Sequence, residues 1–95
     1  MNILDYIPYG RENAVKRGEL IRITGLDDRS MRKLIEKEQL NGAVILNMQD
    51  GRGYFRPIMP DEANLVSAWA MMERSRYYTA MVKINYAQDW LESAQ

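Results

Sequence analysis

Several basic side chains and one hydroxyl fall within a short stretch of this 95-residue chain, namely Arg29, Ser30, Arg32, Lys33 and Lys37. On a helix that turns by about 100° per residue, Arg29, Arg32 and Lys33 lie on one side with Glu36, and Ser30 and Lys37 lie at its edges. The opposite side is an apolar arc of Met31, Leu34 and Ile35. Guanidinium and ammonium groups arranged in this way can neutralise phosphates and release counterions. The alternative is an ordinary solvated helix face.

The sequence contains neither cysteine nor histidine. Disulfides, thiolate metal sites, the usual zinc ligands and the commonest general base are therefore excluded. Enzyme chemistry would fall to carboxylates, Lys, Tyr or Ser, and no pairing of these residues stands out. We therefore expect a protein that is not an enzyme and that uses no metal or cofactor.

Charge is balanced over the whole chain, with 13 basic and 13 acidic residues. Residues 1–60 carry ten basic and eight acidic residues, and residues 61–95 carry three and five. The two parts thus differ only slightly, at +2 and −2. Because a dedicated nucleic-acid binder is usually basic, the electrostatic argument depends on local clustering rather than on net charge.

Residues 19–55 predict a helix, a turn, a second helix, a strand, a hairpin and a second strand. Gly25 and Leu26 form the turn, Asp27 is expected to be the N-cap of the second helix, and Asp28 suits the positive end of that helix. The strands are predicted at 44–46 and 54–55. An Asp50-Gly51 pair predicts a tight primed turn between them, with Arg52 near its tip. An ordinary corner between two helices would share the first half of this pattern.

The ordered set of elements resembles the winged helix-turn-helix domains of the biotin-repressor and DeoR-like type. The matching residues are Glu19-Leu20, Gly25-Leu26-Asp27, Arg29-Ser30-Met31-Arg32, Ile35, Gly42 with Ile45, and Gly53-Tyr54. The opening IPYGRENAV is similar to small winged-helix proteins encoded by phages and prophages of Gram-positive bacteria. The resemblance covers roughly residues 3–57.

This resemblance implies that the second helix enters the major groove of double-stranded DNA and that the hairpin is a wing. Ser30 would bind phosphate, and Arg29, Arg32 and Lys33 would face the groove. The other residues expected to contact DNA are Lys16 and Arg17 at the start of the first helix, Lys37 on the second, and Arg52, Tyr54 and Arg56 on the wing.

The apolar residues among the first nine predict a short helix that closes the core before Pro8. These residues are Ile3, Leu4, Tyr6, Ile7 and Tyr9.

The N-terminus lacks the basic and apolar regions of a signal peptide. The longest apolar run, residues 68–72, is far shorter than the roughly 20 residues of a membrane helix. We therefore expect a cytoplasmic protein without a membrane partner.

A second helix-rich region is predicted from Asp61 to about Glu92. Its first part should pack on the preceding domain through Leu65, Ala68, Trp69 and Met72. Beyond residues 73–76, one seam consists of Tyr77, Ala80, Ile84, Ala87 and Leu91, and a second stripe consists of Tyr78, Val82, Tyr86 and Trp90. Two apolar sides require two surfaces to cover them. The helix therefore either breaks near residues 73–76 and folds back, or pairs with a second copy.

The sequence as a whole predicts an α+β, mostly helical fold. It divides into a winged helix-turn-helix domain at 1–59 and a helical extension at 60–95. Binding of double-stranded DNA, as a regulator or a replication or recombination accessory factor, is the leading hypothesis. The alternative is a winged-helix module that binds proteins through its aromatic C-terminal helix. The residues expected to make a homodimer or higher oligomer are Tyr77, Tyr78, Met81, Val82, Ile84, Tyr86, Trp90 and Leu91.

Overall fold

The computed structural model describes residues 1–94 and is an α+β, mostly helical fold with one small antiparallel sheet. Gln95, the last residue of the predicted extension, lies outside the described residues. Two short 3-10 helices precede the main elements, at Ile3–Tyr6 and Arg11–Asn13. The main elements are α1 (Arg17–Thr24), α2 (Asp28–Leu40), β1 (Leu46–Asn47), β2 (Tyr54–Phe55) and α3 (Ala63–Ala94).

The predicted pair of helices and the turn between them are confirmed. Gly25 ends α1 in the left-handed conformation, with φ of 72°, and its N–H donates to the carbonyl of Ile21. Leu26 packs against the core. The Asp27 carboxylate accepts a 2.7 Å hydrogen bond from the Ser30 N–H, and this bond lowers the pKa of Asp27. These contacts fix the angle at which α2 leaves α1.

The core lies between the N-terminal 3-10 helix, the two helices of the pair and the segment that enters β1. Its buried members are Ile3, Ile7, Leu20, Met31, Ile35 and Ile45. The predicted short N-terminal helix and the apolar arc of α2 are therefore confirmed. Tyr6, the last residue of this 3-10 helix, and Tyr9, which lies beyond it, are exposed instead of buried.

The hairpin differs from the prediction in its length. The strands pair Leu46 with Phe55 and Asn47 with Tyr54, so six residues connect them rather than the two of a primed turn. Positive φ angles at Gln49, Gly51 and Gly53 accommodate this loop. Val44, predicted as a strand residue, lies before β1 and is exposed.

Val15, two residues before α1, forms an isolated antiparallel bridge with Tyr54 of β2. The N–H of Val15 donates to the carbonyl of Tyr54 at 2.9 Å, and the N–H of Tyr54 donates to the carbonyl of Val15 at 2.8 Å. Gly53 lies directly against this pair, since a Cβ atom there would stand 2.1 Å from the Val15 carbonyl oxygen. A glycine is required at this position both for its φ of 100° and for this close approach.

The C-terminal helix runs without a break from Ala63 to Ala94, so the alternative in which it breaks near residues 73–76 and folds back is wrong. Leu65, Trp69 and Met72 are half-buried as predicted, whereas Ala68 is exposed. The helix makes the molecule elongated, with a longest dimension of 52 Å. Within residues 1–94, the structure contains no helix with the length and apolar character that a membrane crossing requires.

The carboxylate of Glu62, just before α3, connects the start of this helix to two other segments. Glu62 accepts hydrogen bonds from the N–H of Ile58 at 2.8 Å and the N–H of Arg11 at 2.9 Å. The Arg11 side chain in turn contacts Asp50 in the hairpin at 2.5 Å. The two backbone hydrogen bonds lower the pKa of Glu62, and the Arg11 guanidinium lowers the pKa of Asp50.

We predict that Gly53→Ala destabilises the protein by about 3 kcal/mol or more, because the new methyl group collides with backbone. Gly51→Ala is the matched control, since Gly51 also has positive φ but open space around its Cβ position. This control should cost only about 1 kcal/mol of backbone strain. Urea denaturation measures both free energies, and equal losses would contradict the proposed close approach.

We predict that Glu62 contributes to the pH dependence of stability. Because its pKa is lowered in the folded state, its contribution is present above the ordinary value of 4.5 and is lost as the pH falls through the folded pKa. Glu62→Gln should therefore lower thermal stability at pH 7 and reduce the difference between pH 7 and pH 3. Glu92→Gln, at the far end of α3, is the control and should keep the wild-type difference. A Glu62→Gln curve parallel to that of the wild type would refute this role.

Candidate nucleic-acid interface

A long open groove separates α2 from the first half of α3, and we call it the α2–α3 groove. Its floor and walls come from α2, the hairpin and α3, and it measures about 730 Å³. Arg29, Arg32 and Lys33 line it from α2, while Trp69 and Arg76 line it from α3. With Tyr54, four of the predicted DNA-binding residues therefore face a common space. That space is bounded on one side by the first half of α3.

A second groove lies between the start of α1, α2 and the hairpin, and we call it the hairpin groove. It measures about 490 Å³, and its cations are Lys16, Arg17 and Arg32. Gly51 and Gly53 present hairpin backbone to the same space. No carboxylate stands among the residues that line this groove. Such a concentration of positive charge beside exposed backbone suits a phosphate group.

The two grooves are continuous because they share four residues: Arg32, Asn47, Gln49 and Tyr54. Together they are lined by six basic side chains (Lys16, Arg17, Arg29, Arg32, Lys33, Arg76) and three acidic ones (Asp28, Glu36, Glu73). The combined surface thus carries a formal charge of +3 in a chain whose net charge is zero. This surface therefore has a local excess of positive charge, although the charges of the whole chain are balanced.

Asp28 forms ion pairs with two of these basic side chains. Its carboxylate lies 3.2 Å from Arg17 Nε and 3.2 Å from an Arg32 guanidinium nitrogen. Asp27 caps α2 as expected, and Asp28 lies in the first turn, at the positive end of the helix. Asp28 also ties α1 to α2 and aligns the two guanidinium groups at the junction of the grooves.

Four predicted contact residues lie outside both grooves. Arg56 is half-buried, with its guanidinium carbon 4.6 Å from the centre of the Tyr9 ring, an arrangement typical of cation–π stacking. Its backbone N–H donates to the carbonyl of Pro8. Ser30 and Lys37 are exposed on α2, and Arg52 is exposed in the hairpin loop. The structure thus brings together Lys16, Arg17, Arg29, Arg32, Lys33 and Tyr54.

The sequence interpretation missed several residues of this surface. Asn47 and Gln49 line both grooves with side-chain amides, which can donate and accept hydrogen bonds at base edges. Arg76 reaches the α2–α3 groove from the far helix, where it pairs with Glu73 at 3.0 Å. Their position depends on the path of the hairpin and the direction of α3, and local spacing carries no signal for either.

The lining of the two grooves differs from that of an ordinary small-molecule pocket, which is mostly apolar. Charged and amide side chains dominate both grooves. Among residues 1–94, no group of three potential ligands is placed to hold a metal ion. A large polyanion matches this surface better than an apolar ligand does.

The residues predicted to make an oligomer lie on the part of α3 that projects from the domain. Tyr77, Tyr78, Tyr86 and Trp90 are about two-thirds exposed or more, and Ile84 and Leu91 are about half exposed. Met81 and Val82 are half-buried. An exposed apolar surface of this kind commonly marks a protein contact.

Comparisons with protein families, with characterised proteins and with solved structures found no match to this chain.

Proposed function

We propose that this protein binds double-stranded DNA in the manner of a winged helix-turn-helix, with α2 as the helix that enters the major groove. The observation that carries the proposal is the continuous surface formed by the two grooves. Six cations from three helices converge there beside the hairpin, in a chain whose net charge is zero. Duplex DNA has a dense phosphate charge for which such a surface is suited.

Each part of the surface has a separate task in this proposal. Arg29 and Lys33 on α2 approach the bases or the flanking phosphates. Lys16 and Arg17 at the start of α1 bind the backbone of one strand, since phosphate contacts position a protein on the duplex. Asn47 and Gln49 supply side-chain amides that line both grooves and can hydrogen-bond to base edges.

The α3 helix limits the geometry of this complex. Because Trp69, Glu73 and Arg76 form the opposite wall of the α2–α3 groove, a DNA backbone must lie between α2 and α3 or approach α2 from its outer side. Arg76 is placed to bind a phosphate in the first arrangement. The Glu73 carboxylate compensates part of its charge, so the contact is expected to be modest.

The test is a charge reversal within the groove. Arg29→Glu combined with Lys33→Glu should weaken binding to a random-sequence duplex by on the order of a hundredfold at low salt, because two phosphate contacts become repulsive. Arg32 is left unchanged, since its reversal would place a second carboxylate beside Asp28. Fluorescence anisotropy of a labelled duplex gives the affinities.

The matched control reverses two cations outside the grooves, Arg74→Glu and Lys37→Glu, for the same change in net charge. We expect it to weaken binding by less than about tenfold, through long-range electrostatics alone. All four side chains are exposed, so thermal stability should change by less than about 1 kcal/mol. Equal losses in the two double variants would refute the assignment of the surface.

Asp28 offers a gain-of-function test of the same surface. Asp28→Asn removes a negative charge and releases Arg17 and Arg32, so we predict severalfold tighter binding at low salt. The exposed ion pairs are worth little, and stability should fall by less than about 1 kcal/mol. Asp89→Asn, on the projecting part of α3, is the control and should leave the affinity unchanged. Weaker binding by Asp28→Asn would show that alignment of the two guanidinium groups outweighs the negative charge.

A second candidate function is a protein-interaction module, and the exposed aromatic side chains of α3 favour it. In this case Tyr78, Tyr86 and Trp90 would contact a partner protein, and the cationic surface would be solvated. The two functions are distinguished by the charge reversal, since an interaction module would show no affinity for duplex DNA to lose.

A further inference from the structure

The projecting half of α3 carries a regular alternation of large and small side chains. Tyr77, Ile84 and Leu91 are spaced by seven residues, and so are Ala80, Ala87 and Ala94. At about 100° per residue these two rows lie side by side and form one seam along the helix. The large side chains of this seam are about half to two-thirds exposed.

The seam continues the face of α3 that its own domain covers. Trp69, Glu73 and Arg76, which line the α2–α3 groove, lie on the same side of the helix as Ala80 and Ala87 when the same rotation per residue is applied. The domain thus occupies this face as far as Arg76. From Tyr77 onward the same face is free over 18 residues of the described chain.

We propose that a second copy of this chain occupies the free seam, with the two α3 helices antiparallel. In one symmetric register, Tyr77 of each copy faces Ala94 of the other, Ile84 faces Ala87, and Leu91 faces Ala80. Every layer then combines one large and one small side chain, so all layers have similar width. Interdigitation of large and small residues is how helices pack closely along their whole length.

A parallel pair would not pack in this way. It would place Tyr77 against Tyr77 and Ile84 against Ile84, with alanine facing alanine in the layers between. Wide and narrow layers would alternate, and no single distance between the helix axes would fill both. The side-chain sizes therefore favour the antiparallel arrangement.

The length of the free seam agrees with the same register. Ala94 of one copy comes opposite Tyr77 of the other, immediately beyond Arg76, where contact with its own domain ends. The domain therefore covers this face of α3 as far as Arg76, and the second helix covers the same face from Tyr77 onward. Such a helix pair would bury roughly 1,000 Å² in total, at the lower limit for specific interfaces, so we expect a dissociation constant in the micromolar range.

Light scattering coupled to gel filtration tests the pairing with the full chain. At about 200 µM, where a micromolar dimer is almost fully formed, the wild type should have twice the mass of the 11.1 kDa chain. Ile84→Asp should weaken the dimer at least about a hundredfold, because it places a carboxylate in the centre of the seam. Tyr86→Asp, on the opposite side of the same helix, is the matched control and should remain dimeric. Circular dichroism checks that both variants keep their helix content.

Single cysteines test the orientation, since the chain has none of its own. Under mild oxidation, a mixture of the Ala80→Cys and Leu91→Cys variants should form the mixed disulfide dimer. Each variant alone should not, because in the antiparallel pair its two copies of the cysteine stand about 16 Å apart along the axis, beyond disulfide reach. Self-crosslinking of each variant without the mixed product would indicate a parallel pair and overturn the proposal. A monomeric wild type, or an assembly that Tyr86→Asp dissociates and Ile84→Asp does not, would also overturn it.

Discussion

The reciprocal backbone hydrogen bonds between Val15 and Tyr54 are the constraint on which the rest of the structure depends. They attach the segment before α1 to the return strand of the hairpin, and only a glycine at residue 53 leaves room for them. Lys16 and Arg17 follow Val15 directly, so this contact places both cations beside the hairpin. Without it, Lys16 and Arg17 would not be held against the hairpin, and the hairpin groove would not form.

The proposed interface depends on the local arrangement of charged side chains and not on the net charge of the chain. Six basic and three acidic side chains share the two grooves, and the acidic residues are partly neutralised by contacts such as those of Asp28 with Arg17 and Arg32. The proposed helix pair would add a second such surface. With a rise of about 1.5 Å per residue, the two α2–α3 grooves would be centred about 40 Å apart along the helix pair. This spacing is close to the roughly 34–36 Å between half-sites one turn apart on DNA.

Much of the fold could be predicted where short-range chemistry determines it. The turn at Gly25, the cap at Asp27 and the apolar arc of α2 follow from spacing and from residue types. The length of the hairpin could not be predicted from Asp50-Gly51, because hydrogen bonds from Arg11 and Arg52 to Asp50 stabilise a longer loop. The position of the Arg56 side chain could not be predicted either, because it depends on contact with Tyr9 in a distant segment. The ion pair between Asp28 and Arg17 could not be predicted for the same reason, since Arg17 lies across the turn in another helix.

The most direct measurement of the central claim is an NMR titration of the isotope-labelled protein with a random-sequence DNA duplex. The account predicts that amide signals shift at residues 16–18, 28–36 and 47–54, and that these shifts are reversed by added salt because they depend on phosphate contacts. Signals from residues 77–94 should change only through the slower tumbling of the complex. Shifts confined to α3, or none at millimolar DNA, would contradict the claim that the two grooves form a nucleic-acid interface.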